Sequence, residues 1–237
     1  MGPQMDLTQL VALSMGAAWA SGINLYAALL MLGLMGATGH MQLPSGMEIL
    51  AEPPVLMAAG FMYFVEFFAD KVPGVDNGWD TIHTFIRLPA GAVLAAAAVG
   101  DVSMAAQVSA AIVGGSLAGV THATKAGSRV MVNTSPEPFT NWTVSLAEDV
   151  AVFAGLWAAL NYPSAFLAAL IVFVIVAIWL LPKIWRGVRG VFRRISNWLS
   201  PPAVADSSRT SDPSASGDSA DSLQFTLGSS APDSREK

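Results

Sequence analysis

The chain contains no cysteine, which excludes disulfides, thiolate nucleophiles and thiolate metal ligands while leaving the compartment open. Charge is scarce too: 12% of the residues are Asp, Glu, Lys or Arg against 53% hydrophobic, a balance outside that of soluble globular domains. Neither Leu7–Thr38 nor Val150–Pro182 holds a single Asp, Glu, Lys, Arg or His. Each stretch exceeds the roughly 20 apolar residues that cross a hydrocarbon core about 30 Å thick, so lipid is the expected solvent for most of the chain. Met1–Asp6 also lacks Lys and Arg. A cleavable secretory signal carries a basic segment before its apolar run, and the first run is therefore kept as a span. A G-x-S-x-G elbow, an H-E-x-x-H pair and a Gly-rich run with phosphate-loop spacing are all missing, so the usual nucleophile, zinc and phosphate signatures give no support to an enzyme.

What is present divides into about six spans. The first covers about Leu7–Met35 and gives way to a turn-rich loop through Gly39, Pro44, Ser45 and Gly46. The second opens at Pro53 or Pro54, where proline suits a first helical turn, and ends near Asp70, ahead of the Val72-Pro73-Gly74 break. Asp76 reads as the N-cap of the third span, with Asp80 in its first turn favoured by the helix dipole; that span reaches about Val99. The fourth covers about Met104–Val132, the fifth opens at Ser135-Pro136-Glu137-Pro138 and ends at Asn161-Tyr162-Pro163, and the sixth runs from about Ser164 to Leu181. The expected fold is thus an all-α polytopic transmembrane helical bundle over residues 1–182. In 183–199, Trp185, Val188, Phe192, Ile195 and Trp198 or Leu199 recur at helical spacing among basic residues. That pattern describes an amphipathic helix on an anionic leaflet, with Lys183, Arg186, Arg189, Arg193 and Arg194 facing lipid headgroups. Residues 200–237, rich in Ser, Asp, Pro, Gly and Ala, read as a disordered polar tail.

Cytoplasmic loops collect Lys and Arg. With six spans and both termini inside, Lys71, Arg87, Lys125, Arg129 and the Lys183–Arg194 cluster all fall on the cytoplasmic side, and the outer loops keep only His40, Glu48, Glu52 and Asp101 as ionisable groups. Three spans plus three would form an inverted repeat of the kind found in transporters. Both halves open on a small-residue span, Gly16–Gly22 and Gly114–Gly119, and both second spans follow a Glu-Pro pair and carry carboxylates. Small-residue helices and Glu-Pro pairs also arise independently.

Two ionic clusters stand out. Glu66 and Asp70 share one helix face, and so do Asp80, His83 and Arg87, with Lys71 and Asp76 beside them. His122, Lys125 and Arg129 share a face of the fourth span, followed by Asn133, Glu137, Glu148 and Asp149. Charge inside a membrane costs several kcal/mol or more unless paired or hydrated, and so marks pathways or sites. Two readings stay open: structural salt bridges with interfacial snorkelling, or a polar cavity, open to the cytoplasm, that binds an ion or small polar solute. Asp70, Lys71 and Asp76 lie beside helix ends where water is at hand. Asp76, Asp80 and His83 could also be read as divalent-metal ligands, but Asp76 already has a role as a cap, and no metal is expected. Ser21-Gly22-Ile23-Asn24 offers a further choice between an unwound, cavity-lining stretch and close packing through small residues.

The sequence resembles a bacterial integral-membrane family catalogued as a domain of unknown function. The resemblance is carried by Ser21-Gly22-Ile23-Asn24-Leu25-Tyr26; by Glu66 with Asp70-Lys71-Val72-Pro73 and Asp76; and by Trp79-Asp80-Thr81-Ile82-His83-Thr84 with Arg87. It continues through His122 with Lys125-Ala126 and through Asn133-Thr134-Ser135-Pro136-Glu137-Pro138 with Asn141, Ser145, Glu148 and Asp149. It covers about Leu7–Leu181 and implies a multi-span bacterial membrane protein without naming an activity.

The expectation is a transporter or channel of the bacterial inner membrane, with a substrate or ion site formed by Asn24, Glu66, Asp70, Lys71, Asp80, His83, Arg87, His122, Lys125, Arg129, Glu148 and Asp149. The two histidines would relay protons, and Lys125 and Arg129 would hold an anion or neutralise Glu148 and Asp149. No cofactor or nucleic acid is called for, and a homo-oligomer is compatible with this scheme. The rival is a membrane scaffold in which the charges only hold spans together.

Overall fold

A computed structural model describes residues 5–72, 74–100, 102–132 and 138–199, so the expectations placed on Asp101, Asn133, Glu137 and 200–237 lie outside the described residues. Six α-helices follow one another: α1 Leu7–Ala37, α2 Pro53–Ala69, α3 Val75–Val99, α4 Met104–Val132, α5 Pro138–Asn161 and α6 Pro163–Leu199, with a 3₁₀ helix at Ser45–Ala51 before α2. All but α2 are long and apolar enough to cross a membrane unaided. The 3₁₀ helix and α2, bent by 70° at their junction, complete a sixth span if they are taken together. The chain is therefore an all-α, multi-pass integral membrane protein.

The helices begin where local chemistry satisfies their free N–H groups. Asp6 accepts from the Gln9 amide at 2.8 Å while the Gln9 side chain accepts from the Asp6 amide at 3.0 Å, a reciprocal capping box. Proline occupies the first turn of α2, where its missing N–H costs nothing. At α3 the expected cap is displaced. Gly74, with φ of 90°, precedes the helix, and Asp76 sits inside the first turn, its Oδ1 accepting from the amides of Gly74 and Asn77 at 2.8 and 2.7 Å. A left-handed φ there suits glycine.

α1 lies at the centre and packs against α2, α3, α4 and α5. α3 and α4 form a tight antiparallel pair beside it, because small residues let the backbones approach. A Cβ on Gly91 would collide with Ala118, one on Gly22 would meet the Ala118 carbonyl oxygen at 2.6 Å, and one on Gly114 would stand 3.3 Å from the Ala18 Cβ. The outward surface is apolar: Phe61, Phe64, Phe85, Ile112, Ile171 and Ile175 are exposed, the distribution of a bundle whose surroundings are hydrocarbon. α6 lies on the outside, its Phe166 and Phe173 meeting Trp19 edge-on at 6.1 and 6.2 Å. Pro182 does not end it. The basic segment expected as a separate helix is continuous with the last span, and at about 1.5 Å per residue the combined helix is longer than the hydrocarbon is thick.

The close approach at Gly22 gives a test. Gly22→Leu would drive a side chain into the α4 backbone, which cannot yield as a side chain can, and should lower stability by about 1–3 kcal/mol. Gly60→Ala, whose nearest neighbour is Leu30 at 3.7 Å, should change little. Thermal unfolding of the detergent-solubilised protein reads both, and an unchanged midpoint for Gly22→Leu would contradict the packing.

Candidate functional site

α1 is interrupted near its middle. Asn24 has φ −144° and ψ 99°, extended values that break the i→i−4 ladder. Its side-chain oxygen accepts from the Ala27 amide at 2.9 Å, so Asn24 acts as the N-cap of the second half of the helix. The Ile23 carbonyl receives the Lys125 ammonium at 2.9 Å. The break is confined to Asn24, and close packing holds within the same motif, since Gly22 is the residue pressed against α4. Backbone outside regular structure at membrane depth is tolerated where protein or a polar site satisfies it, and here Lys125 does so.

Lys125 is also the centre of the charges. Its Nζ lies 3.0 Å from Asp70 Oδ2, 3.4 Å from Glu148 Oε2, and 3.7 Å from both Glu66 Oε1 and Asp80 Oδ1. Arg87, two turns beyond Asp80 on α3, binds Glu66 and, at 3.1 Å, Asp80. Arg129 binds Glu148, reaches Asp70 at 3.1 Å and Asp76 at 3.6 Å, and donates to the Asp70 carbonyl oxygen at 2.8 Å. The two clusters of the sequence are thus one, because the C-terminal ends of α2 and α4 and the N-terminal ends of α3 and α5 lie at the same end of the bundle. Asp70 and Asp76 are buried and not in water as their places beside helix ends suggested. Arg129 explains this, since its guanidinium draws both into the interior.

The remaining expected residues divide. Asp149 receives the Asn24 amide at 3.0 Å. His122 accepts from Arg87 at Nδ1 (3.2 Å) and, in its neutral form, donates from Nε2 to Thr84 at 2.7 Å. His83 donates from Nδ1 to the Trp79 carbonyl at 2.9 Å, leaving Nε2 to accept from the Tyr26 hydroxyl at 3.1 Å. The partners of both rings therefore suit neutral imidazole. Lys71 stands apart, donating to the Phe67 carbonyl and lying 3.0 Å from the centre of the Phe67 ring; partial burial pushes its ammonium below the usual value, against the pull of Asp149 and Asp70. Charge reading alone missed Ser21, Tyr26, Thr84 and Asn141. Ser21 donates to the Arg87 carbonyl at 3.0 Å, and Asn141 donates to the Asp70 carbonyl at 3.3 Å.

The balance of sign is uneven. Six carboxylates, Glu66, Asp70, Asp76, Asp80, Glu148 and Asp149, surround three buried cations, Arg87, Lys125 and Arg129. Glu66, Asp70, Asp80 and Asp149 each keep one buried oxygen without a hydrogen-bond partner. Among the described residues, no group of three or more His, Asp or Glu is arranged to hold a metal ion. A cleft of about 330 Å³ reaches the cluster from one side, lined in part by Thr121, Thr124, Lys125, Ser128 and Glu148, and the Glu148 side chain, 16% exposed, is the most accessible of the paired carboxylates.

The family described as Domain of unknown function (DUF4126) matches residues 11–183. The chain belongs to the DUF4126 family. No curated protein and no solved structure matches it. The DUF4126 match takes in the broken α1 and every residue of the ionic cluster, and it ends just past Pro182, so the basic half of α6 is not part of it. Within this DUF4126 chain the uncharged residues of the resembling motifs, Tyr26, Thr84 and Asn141, hydrogen-bond to His83, His122 and the Asp70 backbone in turn.

Asn24→Ala removes both the cap of the second half of α1 and the partner of Asp149. The expected loss is about 2–4 kcal/mol, from the cap and from a buried acceptor left unsatisfied. Thermal unfolding in detergent measures it, and a loss below about 0.5 kcal/mol would show that Asn24 is not the residue that stabilises the break.

Proposed function

We propose that this protein is a transporter or channel that moves an ion or small polar solute across a bacterial inner membrane, with both termini in the cytoplasm and the ionic cluster at the cytoplasmic end, and that it is not an enzyme. One observation carries the reading: a membrane helix broken at Asn24 whose Ile23 carbonyl, together with four carboxylates from other elements, surrounds Lys125. Broken helices whose freed backbone groups meet charge at membrane depth are how transporters build ion sites, and intramembrane ionisable residues are expensive enough to mark function. The orientation draws on the positive-inside rule: Lys71, Arg129 and the basic half of α6 gather at one end, as Gly127 against Ile184 and Gly187 against Met131 require. The excess of carboxylates argues against an anion as the solute, because Lys125 and Arg129 are already engaged by acidic groups.

A second reading, a scaffold with purely structural pairs, is favoured by the closeness of those pairs: Glu66 and Arg87 are fully buried against one another. The two separate in reconstituted vesicles. Glu148→Gln should abolish solute flux, a fall of at least about a hundredfold, while leaving folded protein in the membrane. If it lowers only the amount of folded protein, and flux per folded molecule is unchanged, the scaffold is correct.

A further inference from the structure

We propose that the Lys125 ammonium is a tethered stand-in for the solute, that the position it fills takes a small ammonium-type cation, and that binding of this cation drives one proton off Lys125. The inference rests on the transporter reading and names its substrate class.

The surroundings of Nζ are those of a bound ammonium ion. It donates to the Ile23 carbonyl at 2.9 Å and to Asp70 at 3.0 Å, with Glu148, Glu66 and Asp80 at 3.4–3.7 Å. A carbonyl released from a helix would not be spent on the side chain of a lysine for packing alone. Unpartnered oxygens on the fully or nearly fully buried Glu66, Asp70 and Asp80 add acceptors that Lys125 does not use. The two short contacts are N–H···O hydrogen bonds and the three longer ones are ion pairs, whereas a bare metal ion needs oxygens converging at about 2.0–2.6 Å, and no group of three or more His, Asp or Glu is arranged to hold one among the described residues.

Occupancy supplies the coupling. The position is already filled by the Lys125 ammonium, so a second ammonium-type cation can take it only if Nζ moves aside, and a still-charged Nζ beside the newcomer would repel it strongly in a low-dielectric interior. Facing Lys125 are Glu66 and Asp70 from the α2 end, Asp80, His83 and Arg87 from α3, and Glu148 and Asp149 from α5. On α4 itself stand His122 and Arg129. The arginines stay protonated at all relevant pH, and the histidines are engaged as neutral rings, which leaves Lys125 as the cation able to give up its charge. The balance is one ammonium ion bound and one proton released to water, with Lys125 becoming a neutral amine. The cleft beside it offers the amine a place: Thr121, one turn earlier on α4, has a buried hydroxyl without a partner, able to donate to the amine lone pair.

Methylammonium binding to the detergent-solubilised full-length protein tests this by calorimetry in two buffers of different ionisation enthalpy. Release of about one proton per cation is expected, with affinity rising about tenfold per unit between pH 6 and 8. Lys125→Met should bind methylammonium without releasing a proton. Should that variant fail to fold, Thr121→Val, which leaves the ion pairs untouched, should bind about fivefold more weakly. Binding by the wild type without proton release, a flat pH profile, or equal competition by potassium would overturn the proposal. Flux of another solute with no methylammonium binding would overturn it while leaving the transporter reading intact, and flux of no solute at all would overturn both.

Discussion

The hydrogen bond from Lys125 to the Ile23 carbonyl is the interaction on which this architecture turns. It joins two features that are each unfavourable alone in lipid: a helix that has dropped part of its ladder, and a fully buried ammonium group. Satisfying one with the other permits α1 to break at Asn24, and the break in turn lets Asn24 cap Ala27 and hold Asp149. A straight α1 would take one hydrogen-bond partner from Asp149 and one from Lys125, so the break and the ionic cluster support one another.

Close packing makes that coupling possible. Gly22 brings α1 against α4 at the turn preceding Asn24, and Gly91 and Gly114 bring α3 against α4, so three backbones converge where long side chains have the shortest distance to cover. Arg87 and Lys125 then meet the same pair of carboxylates, Glu66 and Asp80. Few residues separate the small-residue stripe from the charged end in α3 and α4, and that shift of composition along a single helix explains why the first half of α4 packs and the second half carries charge.

Most of the helices were legible from apolar runs and breakers: the spans read as Pro53 to about Asp70, Asp76 to Val99 and Met104 to Val132 differ from α2, α3 and α4 by at most a residue or so at each end. The merging of two charge groups into one was not, because it depends on which helix ends share a side of the bundle and on how far Arg129 reaches, neither of which spacing encodes. Asp76 shows the limit. Its place after Gly74 suited a cap, yet Gly74 takes the left-handed turn ahead of the helix, and Asp76, inside the first turn, binds the amides of Gly74 and Asn77 through Oδ1 and faces Arg129 through Oδ2. Asn24 was legible only as a choice, since Ser-Gly-Ile-Asn fits both close packing and unwinding, and the structure uses one residue of the motif for each. The neutral partners, Tyr26, Thr84 and Asn141, carry no charge pattern, and the family motifs were their one signal.

Uneven charge gives the arrangement its direction. A structural network would be expected to approach neutrality, because every unmatched carboxylate in a low-dielectric interior raises the cost of the rest. Here three buried cations stand among six carboxylates, with the part-buried Lys71 beside Asp149 and Asp70, and the arginines that pair with Glu66 and Glu148 do not readily lose a proton. The arginines thus hold the frame, and the surplus acidity is concentrated around the buried cation with a titratable head. That division sets the two arginines, whose charge is fixed, apart from Lys125, whose ammonium sits at the helix break among the surplus carboxylates.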